Sequence, residues 1–423
     1  MFKYLFLFTL LTPLIGIYLV EDGEYAGSVG KDGHPNGAFE MFLVYVIIAI
    51  TVALLVIFYR KKRLNRIREK SELVEENIHE NETSYVVFSI AMMMFNLLLL
   101  VIFLFFFNAI GVWMGSVDKG VFRTSLGSFG SIAYNLTKLT CPSLFAYATL
   151  LFMKTRRKKM HSLLWMANIF VLIILGSTWG FKTTGIMMLM PGFVLLFWKV
   201  SVRVLLTLAL GFSAVIYASF QFFDVGHVGE VDPLTFLFHR LTIYQGDVSW
   251  LLWGKYAEGG DFYNYFPTLM AGFGDTLLVR IADMDKDNLA DWMLYHYDYI
   301  LNYSAGIPLH MIAGGHNVVG TPFSEGLIAG GVMGIIIFAG IVGLITGTMY
   351  NLIKRFLFKS NKVLSALLAT YFCFNVFPWL SGGGITMLYH ISNLFGFALT
   401  LAVLDVLLLV VKGMKLTTKQ TIG

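Results

Sequence analysis

Long blocks of apolar residues, uninterrupted by charge, are the feature that most constrains the fold of this sequence. Several blocks exceed the roughly 18–20 residues that a helix needs to cross a bilayer. Of the 423 residues, 57% are hydrophobic and 13% are charged, about half the charged share of a soluble domain. The composition predicts an all-α polytopic membrane protein. It excludes a water-soluble enzyme, a DNA-binding protein and a disordered chain.

Ten blocks qualify as transmembrane helices, and the positive charges orient them. Their approximate bounds are 2–20, 40–59, 85–113, 131–153, 162–180, 183–198, 204–222, 322–350, 363–380 and 387–411. With the N-terminus in the cytoplasm, 22 of the 31 Lys and Arg residues fall on the inner side. This positive-inside asymmetry predicts that both termini are cytoplasmic. It also accounts for the net charge of +5, so no nucleic-acid partner is expected.

Three regions follow from this topology. Residues 1–222 hold spans one to seven with a cytoplasmic loop at 60–84, residues 223–321 form one large outward region, and residues 322–423 hold spans eight to ten and the cytoplasmic C-terminus. The outward region carries twelve acidic and four basic residues. Its apolar stretches at 233–244 and 289–301 predict amphipathic or interfacial helices. Because connecting regions of this size commonly carry function, we expect the functional site here.

Aromatic residues are dense in the second half of the outward region. Thirteen lie between Trp250 and Tyr303. Most of them fit an aromatic belt at the lipid headgroups, and a few of them fit platforms that stack on sugar rings.

Several cations lie at or inside the predicted outer half of the membrane, where a charge is costly and needs a reason. They are Arg123, Lys138, Lys182, Arg240 and Arg280. Singly, each fits a side chain that reaches the headgroups, and for Lys138 and Arg280 this is the favoured interpretation. Together they predict an anionic ligand at the outer surface, because arginine suits bidentate phosphate contact. A lipid-linked diphosphate has the required chemistry.

A second cluster precedes span eight. His316 and Asn317 lie in a glycine-rich loop, and an imidazole that titrates near neutral pH suits proton transfer. Pro322 predicts the first turn of a helix that Thr321 caps. Glu325 then falls in the first turn, where the helix dipole favours a carboxylate. The glycines that follow, Gly330, Gly331 and Gly334, predict close helix packing.

Metal and cofactor chemistry find no support in the sequence. The segment from Asp283 begins like a calcium loop, but Asn288 replaces the glycine at position six and Leu294 replaces the glutamate at position twelve. The two cysteines, Cys141 and Cys373, lie in apolar blocks without neighbouring histidines. We therefore predict no metal site and no cofactor.

The layout and several short motifs together resemble a known family. They are the ten or so spans, the large late outward region, residues 122–130 before a span, residues 176–182 at a tight outer turn, Arg240 followed by residues 245–247, and His316-Asn317 ahead of Glu325 and Gly331. This combination resembles the bacterial O-antigen and capsule repeat-unit polymerases (Wzy-type), in the polymerase–ligase group of membrane glycosyltransferases. The resemblance implies a GT-C-like architecture in the bacterial inner membrane.

The resemblance also implies a reaction and roles for residues. Glycan on undecaprenyl diphosphate is transferred to a hydroxyl of the next lipid-linked repeat unit, without a metal. Arg240 and Arg123 are expected to bind the departing diphosphate, with Lys182 and Arg280 in support. His316 is the first choice for the base, ahead of Glu325 and Asp247. Further substrate contacts are expected from Tyr244, Gln245 and Asn317.

Two alternatives stay open. A ligase moves finished glycan to another acceptor, and its His-Asn lies closer to the Gly-x-x-Gly than the thirteen residues that separate Asn317 from Gly331 here. A transporter or flippase binds the same lipid-linked sugars without chemistry, but it usually carries its charges in a central cavity. A chain-length regulator and a separate flippase are candidate partners of a polymerase.

Overall fold

The fold is helical throughout the part of the chain that the structure describes. The structure is a computed structural model, and it describes residues 1–71, 78–114, 116–117, 122, 130, 132–133, 135–155, 159–179, 184–198, 201, 233–259, 265–283, 296–308, 310, 318, 320–358 and 361–422. Within these ranges there is no strand, and the only pairing of β type is the isolated bridge between Ala26 and Lys31. The predicted all-α class is confirmed.

Sixteen α-helices are described. The first eight are α1 (Phe2–Glu21), α2 (Ala38–Ser71), α3 (Ile78–Val101), α4 (Ala109–Trp113), α5 (Cys141–Phe152), α6 (Lys159–Ser177), α7 (Thr184–Leu196) and α8 (Pro233–Leu241). The others are α9 (Ile243–Ala257), α10 (Phe266–Ala271), α11 (Asp275–Ala282), α12 (Tyr297–Ser304), α13 (Pro322–Phe358), α14 (Lys362–Tyr371), α15 (Phe377–Gly382) and α16 (Ile391–Ile422). Short π-helices occupy Ile102–Phe106, Leu136–Thr140 and Phe372–Val376, and a 3₁₀ turn occupies Ile385–Leu388.

Seven of the described helical segments are long and apolar enough to cross a membrane. They are Phe2–Glu21, Ala38–Tyr59, Glu82–Phe106, Lys159–Ser177, Pro322–Leu357, Lys362–Gly382 and Ile385–Gly413. The predicted spans at 131–153 and 183–198 correspond to the shorter apolar helices Leu136–Phe152 and Thr184–Leu196, and 204–222 lies outside the described residues. The architecture is that of an all-helical membrane protein, with seven segments of spanning length where the sequence predicted ten.

Two predicted spans are interrupted. The span predicted at 85–113 breaks at Asn108, which takes a left-handed conformation (φ 54°). Inside α13 the chain reverses at Gly330 and Gly331, where Gly331 has φ 58°. A Cβ on Gly326 would lie 2.7 Å from the carbonyl oxygen of Gly334, although eight residues of straight helix would separate these positions by about 12 Å. The predicted close packing is therefore correct for Gly334, whereas Gly330 and Gly331 form the turn instead.

The chain divides into two compact units. Unit 1 comprises Met1–Tyr59, Lys199–Tyr350 and Asn375–His390, and unit 2 comprises Arg60–Trp198, Asn351–Phe374 and Ile391–Gly423. Because each unit is assembled from separated stretches of chain, long-range contacts hold it together. The three regions expected from the topology stay a prediction, since the units follow contacts and not membrane sides.

Unit 1 is built around the packing of α9 against α1. A Cβ on Gly16 would overlap the carbonyl group of Thr242, and one on Gly246 would lie 2.7 Å from the backbone nitrogen of Ile17. Glycines at such a crossing let two helix backbones approach closely. Beyond the end of α1, Trp250 donates from Nε1 to the carbonyl of His34 (3.0 Å). Part of the predicted outward region thus packs alongside a helix of membrane-spanning length.

Unit 2 is built around α5, whose twelve residues are all buried. A helix that is apolar on every side is expected at the centre of a bundle. The Trp165 ring of α6 stacks on Phe152 with an interplanar angle of 11° and on Phe145 with one of 27°. A Cβ on Gly192 of α7 would lie 2.5 Å from the Phe145 ring, so α7 also approaches α5 closely.

Candidate functional site

Glu325 lies at the start of α13, as the sequence predicts. The helix begins at Pro322, and Glu325 occupies its first turn. Its side chain is completely buried. A buried carboxylate costs free energy unless hydrogen bonds or counter-charges compensate it, so its partners decide what this residue does.

Four hydrogen-bond donors surround the Glu325 carboxylate. Oε1 accepts from the Tyr265 hydroxyl and from the backbone N–H of Ile385 (2.7 Å). Oε2 accepts from Nε1 of Trp379 (3.0 Å) and from the backbone N–H of Gly384 (2.9 Å). We call these five residues the Glu325 cluster, and all of them belong to unit 1.

A glycine break after α15 presents the two backbone donors. Gly383 and Gly384 have φ values of 73° and 79°, which a glycine adopts without the steric penalty of a side chain. A Cβ on Gly383 would overlap the Tyr297 hydroxyl. Only glycine therefore lets the backbone turn here, and the turn directs successive N–H groups at the carboxylate in the manner of an anion-binding nest.

The donors of the cluster are uncharged. Burial, reinforced by the nearby Glu325 charge, raises the pKa of Tyr265 well above its ordinary value, so Tyr265 keeps the proton that it donates. An ionised carboxylate has about four lone-pair positions for hydrogen bonds, and four donors use them. Glu325 therefore fixes the start of α13 to the glycine break and to Tyr265. Its predicted role as a base stays a prediction.

A hydroxyl cluster joins α9 to the same helix start. The Ser249 Oγ lies 2.8 Å from Oγ of Ser324 and 3.2 Å from Oγ1 of Thr321. All three residues are buried. The Tyr297 hydroxyl also donates to the carbonyl of Thr321 (3.4 Å). The first turn of α13 is thus held by hydrogen bonds from Ser249 and Tyr297 in addition to those of the Glu325 cluster.

Asp247 lies in the same unit, but only one of its two carboxylate oxygens accepts hydrogen bonds from described residues. Its side chain is completely buried. Oδ2 accepts from the backbone N–H of Ser28 (2.8 Å) and from its hydroxyl (2.6 Å), whereas Oδ1 has no hydrogen-bond partner within the described ranges. Burial raises the pKa of Asp247, and the hydrogen bonds from Ser28 oppose that rise.

The predicted arginines of this region lie on the surface. Arg240 is exposed in the last turn of α8, with its guanidinium carbon 5.9 Å from the centre of the Phe236 ring. Arg280 is exposed in the last turn of α11. Helices α8 and α11 are short and lie outside the segments of spanning length. The predicted helix at 233–244 is observed as α8 and the start of α9, and α12 covers the described end of the predicted helix at 289–301.

Of the remaining predicted site residues, some lie within the described ranges and others lie outside them. Tyr244 is half-buried, with its ring against Gly27, and Gln245 is half-buried at the start of α9. Four predicted site residues lie outside the described residues, namely Arg123, Lys182, His316 and Asn317. Within the described ranges, no group of three or more His, Cys, Asp or Glu residues is placed to hold a metal ion.

The sequence did not predict the hydrogen-bond partners of Glu325. Tyr265 and Trp379 lie 60 and 54 positions away from Glu325, and nothing in their local sequence indicates a carboxylate partner. The run Gly382-Gly383-Gly384 after an apolar helix was the available signal. Three glycines in a row predict a backbone break and exposed N–H groups. They do not reveal which anion those groups bind.

Comparisons with known proteins add no identification. No protein-family model, curated protein or solved structure matches the chain. Function must therefore be argued from the residues themselves.

Proposed function

We propose that the chain is a membrane glycosyltransferase that polymerises lipid-linked oligosaccharide repeat units. It transfers glycan from undecaprenyl diphosphate to the next lipid-linked repeat in the synthesis of a bacterial surface polysaccharide. The C–O bond between the sugar and the diphosphate breaks, and a new C–O bond forms to the acceptor hydroxyl. The hydroxyl proton passes to a base, and undecaprenyl diphosphate leaves.

The position of Arg240 is the observation that best supports this proposal. Thr242, two residues later, packs its carbonyl against Gly16 of α1, a helix of membrane-spanning length. Arg240 is exposed beside this contact. A cation next to a membrane helix can meet a diphosphate that is anchored by its lipid. Because negative charge develops on the departing diphosphate, a cation at this position stabilises the transition state.

The other residues take supporting roles in the proposal. Among the described residues of unit 1, Arg280 is another exposed guanidinium outside the spans, and it binds the same anionic group. His316 is the base. Glu325 is a positioning residue, because its oxygens already accept four hydrogen bonds. Arg123 and Lys182 stay predicted contacts of the diphosphate.

The test is the glycan ladder of a strain that lacks the gene, complemented with wild type, Arg240→Ala or Lys412→Ala. Lys412 is an exposed cation of unit 2, and it serves as the matched control. We expect the deletion strain and Arg240→Ala to lose all bands above one repeat unit but to keep that single-unit band. Membrane levels of each variant are measured in parallel. An unchanged ladder in the deletion strain overturns the proposal, and loss of the single-unit band as well indicates ligation or export.

A transporter of lipid-linked sugars is the second candidate, because α13 is interrupted beside a buried carboxylate. The chain reverses at Gly330 and Gly331 and breaks again at Gly383 and Gly384. Discontinuous helices of this kind build the substrate sites of many transporters. Purified protein in liposomes distinguishes the two functions. A transporter moves a fluorescent lipid-linked oligosaccharide across the bilayer without altering it, whereas a polymerase lengthens the glycan.

A further inference from the structure

Helix α11 exposes apolar side chains on one flank. Leu277 and Ile281 are 38% and 44% exposed, and because they are four residues apart, they lie on the same side of the helix. The residues before them, Thr276 and Arg280, form a second exposed stripe about 100° away. Leu278, about 100° round in the other direction, is completely buried. A polar flank, an apolar flank and a buried face therefore follow one another around the helix.

This order is typical of a helix that lies in the plane of a membrane interface. Such a helix buries its apolar side at the boundary between headgroups and acyl chains, and it keeps its cations among the headgroups. A helix on a water-exposed surface normally carries polar side chains across its whole exposed face. Phe266, at the start of α10, and Phe273, between α10 and α11, are exposed as well. The two short helices and their junction thus present four large apolar side chains to their surroundings.

The start of α10 packs on a segment of membrane-spanning length. The ring of Tyr265, directly before α10, lies 6.2 Å from the ring of Phe338. Phe338 belongs to α13, which is long and apolar enough to cross a membrane. On the same helix, Met333 and Ile337 are exposed, and large apolar side chains exposed on such a helix are expected to face lipid. Phe266, next to Tyr265, therefore adjoins a part of α13 that faces lipid.

The junction of α10 and α11 is held by a second such segment. The Tyr389 hydroxyl donates to the carbonyl of Leu269 (2.7 Å), and the Tyr389 ring lies 5.5 Å from the ring of Phe273. A Cβ on Gly272 would overlap the same tyrosine ring, so the packing is close. Tyr389 lies near the start of the apolar segment Ile385–Gly413. Contacts at both ends of α10 thus hold the two short helices beside membrane-spanning segments.

We infer that α10 and α11 form a membrane-interface element, and that lipid acyl chains cover Phe266, Phe273, Leu277 and Ile281. Arg280 then lies at the headgroups, the position that the sequence favours for it. A guanidinium there contacts lipid phosphates and can also meet a lipid-linked diphosphate, so the inference does not depend on the proposed glycosyl transfer. Lipid is the occupant because the exposed side chains adjoin lipid-facing positions of α13.

Nitroxide labels on the full-length protein test this arrangement. The two native cysteines are buried, so an introduced cysteine is labelled selectively, and wild-type protein taken through the same labelling gives the background. Leu277→Cys and Ile281→Cys report on the apolar flank, and Thr276→Cys is the matched position on the polar flank. Glu258→Cys, at an exposed residue of unit 1, is the reference for water. Ile337→Cys is the reference for lipid.

Each labelled variant is reconstituted into vesicles of phosphatidylcholine and phosphatidylglycerol. Power-saturation EPR measures collisions of the label with oxygen, which concentrates among acyl chains, and with a nickel–EDDA complex, which stays in water. We expect the ratio of oxygen to nickel collisions at Leu277 and Ile281 to exceed that at Glu258 about fivefold or more, because the apolar flank lies in lipid. The ratio at Thr276 should be smaller than at Leu277, and the ratio at Ile337 should be high.

Two outcomes overturn the inference. A ratio at Leu277 and Ile281 equal to that at Glu258 would place the flank in water. Low collision rates with both reagents would mean that protein, such as a second copy of the chain, covers the flank. Two labelled positions guard against a single variant that misfolds. The collision ratios do not require catalysis, so failure of the proposed polymerase activity and failure of this inference are separate results.

Discussion

The Glu325 cluster of unit 1 and the Asn96 amide of α3 in unit 2 differ in how a buried polar side chain is paired. Both bury polar side chains in apolar surroundings. The protein pairs both Glu325 oxygens with four donors, whereas both Asn96 amide atoms lack a partner within the described ranges. A buried polar group that the protein satisfies acts as a structural connection. One that the described chain leaves unpaired costs about 1–3 kcal/mol of stability.

Asp247 is intermediate between these two regions. One of its oxygens accepts two hydrogen bonds from Ser28, and the other has no partner in the described part of the chain. Burial raises its pKa above that of an exposed aspartate. The three sites therefore form a series from complete to absent pairing, and substitutions along the series should differ in size and in pH dependence.

The largest effect is expected from Glu325→Ala. The substitution leaves Tyr265, Trp379 and two backbone N–H groups without their acceptor, and each buried donor left unpaired costs about 1–3 kcal/mol. The free energy of unfolding in mixed detergent micelles measures this loss. Glu258→Ala, at an exposed glutamate of the same unit, is the control and should change little. A loss at Glu325 no larger than at Glu258 would contradict the structural role.

A smaller effect is expected from Trp379→Phe, which removes one donor from the cluster. Hydrogen bonds to charged groups contribute about 1.5–3 kcal/mol, against about 0.5–1.5 kcal/mol for neutral pairs. Trp253→Phe is the matched comparison, because Trp253 donates to the uncharged carbonyl of Asn36 (3.2 Å). The same unfolding measurement should show a greater loss for Trp379→Phe. Equal losses would argue against an ionised Glu325.

The smallest effect, expected from Asp247→Asn, depends on pH. Burial raises the pKa of Asp247, so the wild type is favoured below the ordinary aspartate value of about 3.9 and loses stability as pH rises through the folded-state value. The amide that the substitution introduces cannot ionise. The stability of the variant relative to wild type should therefore increase with pH and then become constant. Thermal melting from pH 4 to pH 7.5 follows this difference, and a pH-independent difference would sink the interpretation.

Much of the fold follows from local sequence patterns. Apolar blocks predicted the seven segments of spanning length, because length and hydropathy are properties of a continuous stretch of chain. The helix start at Pro322 and the position of Glu325 in its first turn were also predicted. The reversal at Gly330 and Gly331 was not, because glycines support close packing and turns equally well, and neighbouring elements decide between them.

The candidate site was less accessible to prediction. Glu325 was identified, but the helix dipole gave a sufficient account of it, and its four donors come from distant parts of the chain. Asp247 was a candidate base, yet its partner Ser28 lies 219 positions away. The sequence placed Arg240 and Arg280 in the predicted outward region; both are exposed, whereas the side of the membrane on which they lie stays a prediction. The cost of burying a charged residue can be inferred from the local sequence, whereas its hydrogen-bond partners cannot.

The sequence by itself determined the helical class, the apolar segments and the residues that are costly to bury. It determined these because hydropathy, charge and helix-start signals act over one or two turns of chain. Only the tertiary structure decided which costly groups are paired. Tyr265, Trp379 and a glycine break converge on Glu325, whereas nothing in the described chain converges on Asn96. That outcome depends on which distant backbone segments approach each other, and the free energy of a buried polar group is set by those neighbours.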